Sequence, residues 1–229
     1  MQQQTQVKVS YFTALGDDPY SQMMQDTWRQ EHIDTHLVTQ LPGKLPGLYM
    51  IRTDAQGERT FYYYRNQAAA REMFEAQTYP AVLQELQQYN FIYFSGITCA
   101  ILNESSRAKL FDLLCAARKR GAKICFDANY RPRVWPDRTT AQQTIAHFLK
   151  TVDIALPTFE DEQQLFGDTD PTTCATRYLS YGVKEVVVKS GPKPALIATP
   201  EEKTWVEAEQ VSRIMDSTGA GDSFNAGVS

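Results

Sequence analysis

From residue 91 onward, short apolar runs alternate with longer stretches in which apolar residues recur every three or four positions. The short runs are typical of strands buried in a sheet, and the longer stretches are typical of amphipathic helices. The predicted strands are Phe91–Ser95, Lys123–Asp127, Asp153–Leu156 and Glu185–Lys189. Because strands that alternate with helices pair in parallel, the pattern predicts an α/β fold built on a parallel sheet. Ligands of such sheets gather beyond the carboxyl ends of the strands.

The beginning of the chain shows a weaker pattern of two elements. Val7, Val9 and Tyr11 alternate with polar residues, which predicts a strand. Pro19 follows a short polar turn and stands at a favourable first position for a helix. We therefore expect a strand and a helix before the main sheet.

Residues 41–65 are rich in strand-forming residues and are interrupted by proline and glycine. Leu48–Thr53 and Glu58–Tyr64 are predicted to form a hairpin around a turn at 54–57. The neighbouring residues are too polar for the centre of a sheet. We interpret the hairpin as an appendage at about 39–65 on a single domain that covers residues 1–229. A surface ribbon stabilised by its own aromatic residues is the alternative to a lid over a ligand.

Composition limits the classes of function. A chain of 229 residues, with 42% hydrophobic and 22% charged residues, can bury one substantial core. The formal charge of −4 argues against nonspecific binding of nucleic acid. The 4 cysteines show no CxxC spacing, so we expect free thiols in a reducing compartment. No apolar run approaches the length of a membrane span, and we expect a cytoplasmic protein without membrane or nucleic-acid partners.

The stretch DSTGAGDS at 216–223, followed by FNAGVS, contains the main candidate for chemistry. Gly219 and Gly221 flank Ala220 and allow a tight turn, and a helix is predicted to begin after Asp222. Backbone N–H groups at a helix start can hold the charge of a phosphoryl group. A carboxylate at this point would repel phosphate, so Asp222 is better suited to accept a proton from an attacking hydroxyl.

Other interpretations of this turn are a Walker loop, a dinucleotide loop and a simple helix cap. A Walker loop is excluded because no Lys followed by Ser or Thr comes after the second glycine. The dinucleotide pattern fails because Phe224 occupies the position of the third glycine. A tight turn with a helix cap is compatible with the four letters GAGD alone.

The longer string DSTGAGDSFNAG closely resembles the C-terminal signature of the ribokinase-like (PfkB) carbohydrate kinases. The resemblance implies a doubly wound, mainly parallel sheet with a small β lid. It also implies that Asp222 is the catalytic base and that the amides of Gly219, Ala220 and Gly221 form the anion hole. ATP and Mg²⁺ are the implied cofactors, with Thr218, Gly219 and Gly221 contacting the nucleotide.

The hairpin strengthens this resemblance. GLYMI at 47–51 and GERTFYYYRN at 57–66 are similar to the 2-keto-3-deoxygluconate kinases within that family. The similarity implies that Tyr49, Tyr63 and Arg65 contact a sugar acid, and that copies of the chain associate through the lid. The implied function is ATP-dependent phosphorylation of the terminal hydroxyl of 2-keto-3-deoxygluconate to its 6-phosphate. A kinase for fructose or ribose and a non-catalytic ligand-binding fragment are the alternatives.

The motif DANYRPRVW follows the second predicted strand of the sheet. Asp127, Asn129 and Arg131 are spaced by two residues, which projects them to one side of an extended segment. The guanidinium can clamp a carboxylate there, or it can simply face solvent after a turn. The family resemblance favours the first interpretation, with Asn129 and Arg131 as contacts to the sugar acid.

Two further strand ends carry candidate residues. In PTFEDE, the acids can favour a helix start, or Glu160 and Asp161 can orient a water-coated Mg²⁺, a role that the family resemblance leaves with Asp161 alone. The family usually has an NxxE pattern there, and this chain has Thr158 and Asp161 at those two positions. Lys189 and Gly191 in the motif KSG are predicted either to contact the nucleotide or to form an ordinary β turn.

The resemblance also predicts that both ends of the family pattern are missing. No GGxxxN motif precedes Val7, and the chain stops at Ser229 inside the helix that follows the anion loop. We therefore expect the chain to be truncated and its activity, as given, to be low.

Overall fold

The structure, a computed structural model, describes residues 7–53, 59–76, 79–209 and 218–228. The chain divides into two units. The first contains Met1–Gln84 and Ile101–Ser106, and the second contains Glu85–Ala100 and Arg107–Ser229. The segment at 39–65 falls in the first unit and the predicted parallel sheet in the second. The interpretation of residues 1–229 as one domain with a lid stays a prediction.

The first unit begins with a strand that lies beyond the predicted one. Strand β1 (Thr13–Leu15) is buried throughout and pairs in parallel with β2 (Val38–Gln40). Val7 and Tyr11 are instead exposed. The predicted strand over these residues is therefore wrong, because their alternation does not correspond to a buried face, whereas the continuous run of β1 does.

The first helix, α1 (Pro19–Gln30), begins at the predicted proline. The Asp18 carboxylate accepts hydrogen bonds from the N–H groups of Tyr20 at 2.9 Å and Ser21 at 3.2 Å. These bonds satisfy backbone N–H groups that have no partner within the helix. Pro19 at the first position has no N–H group, so it requires no such partner. The sequence prediction of this helix is confirmed.

The predicted hairpin is present in the first unit. Strands β3 (Leu48–Thr53) and β4 (Arg59–Tyr64) pair antiparallel, with Leu48 opposite Tyr64. The predicted turn at 54–57 lies outside the described residues. The hairpin presents large exposed apolar side chains, namely Leu48, Tyr49, Met50, Ile51, Tyr62 and Tyr64. A 3₁₀ turn (Ala69–Glu72) and helix α2 (Tyr79–Leu86) follow.

A six-stranded sheet forms the centre of the second unit, in the spatial order β5-β6-β7-β8-β9-β10. Its strands are β5 (Phe91–Ser95), β6 (Lys123–Asp127), β7 (Ile154–Ala155), β8 (Glu185–Val188), β9 (Ala195–Ala198) and β10 (Lys203–Val206). The pairs from β5 to β8 are parallel, and β9 and β10 continue antiparallel at one edge. The mainly parallel α/β prediction is confirmed, although β7 and β8 are shorter than expected and the last two strands were not predicted.

Helices connect the parallel strands. They are α3 (Gly96–Ile101), α4 (Glu104–Lys119), α5 (Arg138–Leu149), α6 (Phe159–Phe166) and α7 (Pro171–Ser180). A further helix, α8 (Ala220–Val228), follows the last strand. Side-chain caps fix two of their starts, since Asp137 accepts from Thr140 N–H at 2.7 Å and Asp170 from Thr173 N–H at 2.8 Å. Helix α8 begins at Ala220 rather than after Asp222, so Asp222 lies in its first turn.

Aromatic side chains occupy the core of the second unit. The ring of Phe94 on β5 lies 4.9 Å from that of Phe126 on β6 and 5.7 Å from that of Phe148 on α5, measured between centroids. All four cysteines are free, as predicted. Among the described residues, no helix is both long enough and apolar enough to cross a membrane.

The ends of β5 and β6 approach each other through a glycine. A Cβ atom built on Gly96 would lie 1.9 Å from the carbonyl oxygen of Ala128, which is far inside van der Waals contact. Only glycine therefore allows the backbone after β5 to lie against the backbone after β6.

A buried polar cluster joins α6 to α7. The Arg177 guanidinium donates to Glu162 at 2.6 Å and to Asp168 at 2.5 and 3.1 Å. Burial raises the pKa of Glu162 to about 7, although the positive charge of Arg177 acts to lower it. Glu162, Asp168 and Cys174 hold possible metal-ligand atoms within 4.8 Å of one another. Because Arg177 already supplies a positive charge to both carboxylates, this cluster is a structural ion network.

Candidate active site

The carboxyl ends of the parallel strands bring the candidate residues of the second unit together. Ser95 at the end of β5 pairs with Asp127 at the end of β6. Beyond β8, Lys189 forms an isolated parallel bridge with Thr158, the residue before α6. The strand register thus aligns the three motifs that the sequence analysis selected at strand ends.

A buried hydrogen-bond network lies at this edge. Lys189 Nζ donates to Asn225 Oδ1 at 2.8 Å and lies 3.4 Å from Asp127 Oδ2. Asn225 Nδ2 donates to Asp127 Oδ2 at 2.8 Å and to the Tyr93 hydroxyl at 3.2 Å. Asp127, Lys189 and Asn225 are 4%, 8% and 3% exposed. An ion pair this buried is tolerated because its remaining polar atoms are hydrogen-bonded.

The network includes a phenol whose titration is shifted. Burial raises the pKa of Tyr93 well above its usual value, and the negative charges of Asp127 and Asp222 raise it further. The phenol therefore stays protonated at neutral pH. The effect of Asp222 also indicates that its carboxylate lies near enough to the network to interact with it electrostatically.

The glycine turn stands at the start of α8. Gly219 has a φ of 73°, a left-handed conformation that favours glycine, and its carbonyl accepts the Ser223 N–H at 2.8 Å. The N–H groups of Ala220, Gly221 and Asp222 precede this bond and have no partner within the helix by its geometry. Ideal Cβ atoms on Gly219 and Gly221 would meet nothing within 4 Å. The turn thus offers backbone donors and open space to an anion.

Asp222 is exposed in the first turn of α8, beside these donors. Thr218, Gly219, Ala220 and Gly221 are exposed as well. The part of the motif at 216–217 lies outside the described residues. An exposed carboxylate next to an anion-binding turn has access to both a hydroxyl and a phosphoryl group, which is the arrangement that a general base in phosphoryl transfer requires.

The motif after β6 is not an extended segment as predicted. Asn129 has a φ of 37°, and its N–H donates to Asp127 Oδ1 at 3.1 Å. This local turn breaks the two-residue periodicity on which the prediction depended, because Asn129 has a left-handed backbone and its N–H bonds back to the Asp127 side chain. The side-chain oxygen of Asn129 is buried and lacks a hydrogen-bond partner within the described parts of the chain. That oxygen could accept a bond from a ligand hydroxyl.

Arg131 and Asp161 form an ion pair that the sequence analysis did not foresee. Arg131 Nη1 lies 3.0 Å from Asp161 Oδ2 and 3.2 Å from Oδ1, and it also donates to the Tyr130 carbonyl at 2.7 Å. Burial raises the pKa of Asp161, and the Arg131 charge opposes this shift. Arginine has further N–H groups for a second carboxylate. The role of Arg131 as a contact to a sugar acid stays a prediction.

Asp161 is the one residue that the sequence analysis assigns to magnesium. Its carboxylate has the oxygen chemistry that Mg²⁺ prefers, and its side chain is partly accessible. Both of its oxygens already contact Arg131, so a magnesium ion held through water would share this carboxylate with a guanidinium. The donor chemistry fits a supporting role in holding the ion.

The motif KSG forms a turn between β8 and β9. Gly191 is exposed, and the Lys193 N–H donates to the Ser190 carbonyl at 3.1 Å. The ammonium of Lys189 is directed toward Asp127 and Asn225. The β-turn interpretation is confirmed, and contact of Lys189 and Gly191 with a nucleotide stays a prediction.

The candidate residues of the hairpin lie in the first unit. Tyr49 on β3 is directly opposite Tyr63 on β4 in the register of the ribbon. Tyr49 is about half exposed. Arg65 follows β4 and lies close to Gly47, where an added Cβ would be 3.2 Å from the Arg65 Cβ. Their contacts to a sugar acid stay predictions.

Sequence reasoning missed two members of the buried network. Neither Tyr93 nor Asn225 was selected, and Asp127 was selected without its buried role. Tyr93 has no local signal because it lies in an ordinary strand pattern. Asn225 carried one signal, since a polar residue three positions after Asp222 lies on the same side of a helix.

Comparisons with known proteins agree with this geometry. The family profile described as pfkB family carbohydrate kinase matches residues 2–229. The chain is 44% identical over 223 residues to 2-dehydro-3-deoxygluconokinase of Escherichia coli, covering 96% of this chain and 72% of that protein. The same values describe its similarity to 2-dehydro-3-deoxygluconokinase of Dickeya dadantii. The crystal structure of a PfkB protein from Polaromonas sp. JS666 superposes with a TM-score of 0.83 at 26% identity, covering 97% of this chain and 72% of that one.

Proposed function

The chain belongs to the pfkB family of carbohydrate kinases, and we propose that it transfers the γ-phosphoryl group of ATP to the terminal hydroxyl of 2-keto-3-deoxygluconate. The observation that carries this proposal is the exposed carboxylate of Asp222 beside the open glycine turn at the start of α8. The choice of sugar is supported by relatives named 2-dehydro-3-deoxygluconokinase at 44% identity.

In the proposed reaction, the Asp222 carboxylate accepts the proton of the sugar hydroxyl. The hydroxyl oxygen then bonds to the γ-phosphorus while the bond from that phosphorus to the leaving oxygen of ADP breaks. The N–H groups of Gly219, Ala220 and Gly221 stabilise the charge on the oxygens of the phosphoryl group in transit. Thr218, Gly219 and Gly221 contact the nucleotide, with Lys189 and Gly191 near it.

A magnesium ion, when bound, neutralises charge on the nucleotide phosphates. Asp161 would help to hold it through water, as its oxygen chemistry allows. Because Arg131 contacts the same carboxylate, the ion pair places Arg131 and Asp161 side by side. The protein therefore contributes mainly positioning and electrostatics, and little covalent chemistry.

Recognition of the sugar acid rests on arginines and polar side chains. We propose that Arg131 and Arg65 each bind the substrate carboxylate, because a planar guanidinium matches a carboxylate with paired hydrogen bonds. Asn129 would use its unpartnered oxygen to accept a bond from a sugar hydroxyl. Tyr49 and Tyr63 would pack on the sugar and hydrogen-bond to it. A neutral sugar has no carboxylate to offer to either arginine.

The hairpin also supports an association of two copies, as the family resemblance implied. It carries six large exposed apolar side chains on a ribbon of only two strands. An isolated two-stranded ribbon is marginal in water, and a second copy of the same ribbon is self-complementary to it across a twofold axis. We therefore expect a homodimer through the lid.

The central experiment measures ADP production by the chain with 2-keto-3-deoxygluconate, fructose and ribose. We expect turnover with the sugar acid in clear preference to the neutral sugars. Asp222→Asn should lower turnover about a hundredfold or more while nucleotide binding is retained, because the base is lost and the size is kept. Asp112→Asn removes an exposed carboxylate from α4 and serves as the matched control.

Each outcome separates the alternatives. Faster turnover of fructose or ribose would identify a neutral-sugar kinase. Binding of nucleotide and sugar without turnover of any sugar would identify a ligand-binding fragment. Near-normal turnover by Asp222→Asn would remove this residue from the role of base.

A further inference from the structure

Helix α8 has an unusual relation to the sheet of the second unit. Of its nine residues, Asn225 alone is buried, and the apolar side chains of Phe224 and Val228 are partly exposed. A helix on a protein surface ordinarily buries an apolar stripe. Here the buried residue is polar, so hydrogen bonds contribute to holding the helix beside its partly covered apolar side chains.

Three hydrogen bonds to Lys189, Asp127 and Tyr93 fix the Asn225 amide in one orientation. Lysine is only a donor, so the amide oxygen must face Lys189. An ionised carboxylate is only an acceptor, so the amide nitrogen must face Asp127. The second N–H of the same nitrogen reaches the Tyr93 hydroxyl. Reversing the amide would place its oxygen against the Asp127 carboxylate and its nitrogen against the Lys189 ammonium. Because the reversed amide would lose these hydrogen bonds, the observed orientation is strongly favoured.

The network connects α8 to three different strands. Tyr93 belongs to β5, Asp127 ends β6, and Lys189 follows β8. These partners lie 132, 98 and 36 residues away in sequence. An attachment to three strands restricts both the translation and the rotation of the helix, whereas a single bond would leave it free to pivot.

Asp222 lies three positions before Asn225, which is less than one helical turn. Side chains at this spacing are neighbours on the helix surface. The contribution of Asp222 to the raised pKa of Tyr93 agrees with this closeness. Any rotation of α8 about its axis would therefore move the Asp222 carboxylate and the N–H groups of the glycine turn together.

We propose that Asn225 is a positioning residue that sets the orientation of Asp222 and of the glycine turn for phosphoryl transfer. The expected effect on kcat rests on the proposed function, because it requires that the chain catalyses phosphoryl transfer. A helix of nine residues is too short to be stable by itself, so its register on the sheet depends on its anchors. A base displaced by about 1 Å loses about a hundredfold in rate.

The first test replaces the amide by an apolar group of similar size in Asn225→Leu. We expect kcat per nucleotide-binding site to fall about tenfold to a hundredfold, while KM for ATP and for the sugar acid changes less than about threefold. Counting active molecules by nucleotide binding separates this effect from a loss of folded protein. Val228→Ala, on the same helix, is the matched control.

The second test is Asn225→Asp, which keeps the shape of the side chain and replaces its NH₂ donor by an acceptor oxygen. At high pH the new carboxylate would face the carboxylate of Asp127, and like charges at that distance oppose each other. At low pH the protonated form can again donate a hydrogen bond to Asp127. The ratio of variant to wild-type kcat should therefore rise as the pH is lowered from 8 to 6. If Asn225 acted only by filling space, the ratio of variant to wild-type kcat would not change with pH.

Hydrogen exchange provides a readout that needs no activity. The amides at 218–228 should exchange at least about tenfold faster in Asn225→Leu than in wild type, because local opening of α8 becomes easier. Unchanged exchange in α8 overturns the inference, whether or not the chain is active. Faster exchange with unchanged kcat overturns the positioning role. Absence of turnover in wild type refutes the proposed function instead, and the exchange result then decides the anchoring role by itself.

Discussion

The buried carboxyl of Glu162 should make the stability of the folded protein depend on pH. Burial raises its pKa to about 7 from a model-compound value of 4.5, although Arg177 acts in the opposite direction. The folded protein then binds this proton more tightly than the unfolded chain does. The resulting stabilisation is fully present below pH 4.5 and is lost as the pH rises through 7.

The magnitude follows from the same two values. One proton changes the free energy of unfolding by at most about 1.4 kcal/mol per pH unit. Between a pKa of 4.5 and one of about 7, the total is on the order of 3 kcal/mol. Glu162→Gln keeps the size of the side chain and removes the titration, so this part of the pH dependence should disappear in the variant.

The assay is denaturant unfolding of wild type and variant at pH 5, 6, 7 and 8, followed by intrinsic fluorescence. We expect the difference in the free energy of unfolding to shift in favour of Glu162→Gln as the pH rises. Glu104→Gln removes an exposed carboxyl from the first turn of α4 and is the control. If the wild-type and Glu162→Gln curves run parallel over the whole range, the buried carboxyl does not titrate there and the argument fails.

Two further predictions concern the proposed function. Arg65→Ala and Arg131→Ala should each weaken binding of the sugar acid more than that of a neutral analogue, by roughly 1.5 to 3 kcal/mol, because only the acid loses a charge-assisted hydrogen bond. Titration calorimetry with both ligands measures this difference, and equal losses would refute carboxylate recognition. Leu48→Glu should convert the expected dimer into a monomer in sedimentation equilibrium, because it places charge on the exposed hairpin face. A dimer that persists in this variant must use another surface.

The sheet could be predicted largely from sequence because its strands are continuous apolar runs. Phe91–Ser95 and Lys123–Asp127 were found at their observed bounds. At the start of the chain, the alternation of Val7 and Tyr11 imitated a strand while the true strand, Thr13–Leu15, had no alternation. Alternation indicates a half-buried strand, and β1 is buried on both faces, so the rule selected the wrong residues.

The site could be predicted only where its chemistry is local in sequence. The glycine turn and Asp222 lie within four residues, and their pattern was sufficient. The partners of Asn225 are dispersed over three strands, and no spacing rule joins them. The pairing of Arg131 with Asp161 and the turn at Asn129 also depend on how strand ends align in space. Such contacts depend on how distant segments are placed in the fold, and local sequence patterns carry no information about that placement.

The contact of Gly96 with the Ala128 carbonyl limits how this sheet edge can be redesigned. A Cβ atom at position 96 would overlap this carbonyl oxygen, so any side chain there would force the two backbones apart. A variant that keeps this close approach of the two strand ends therefore needs glycine at position 96. Redesign of this sheet edge has to proceed through the neighbouring side chains and loops, since a substitution of Gly96 would displace the strand ends themselves.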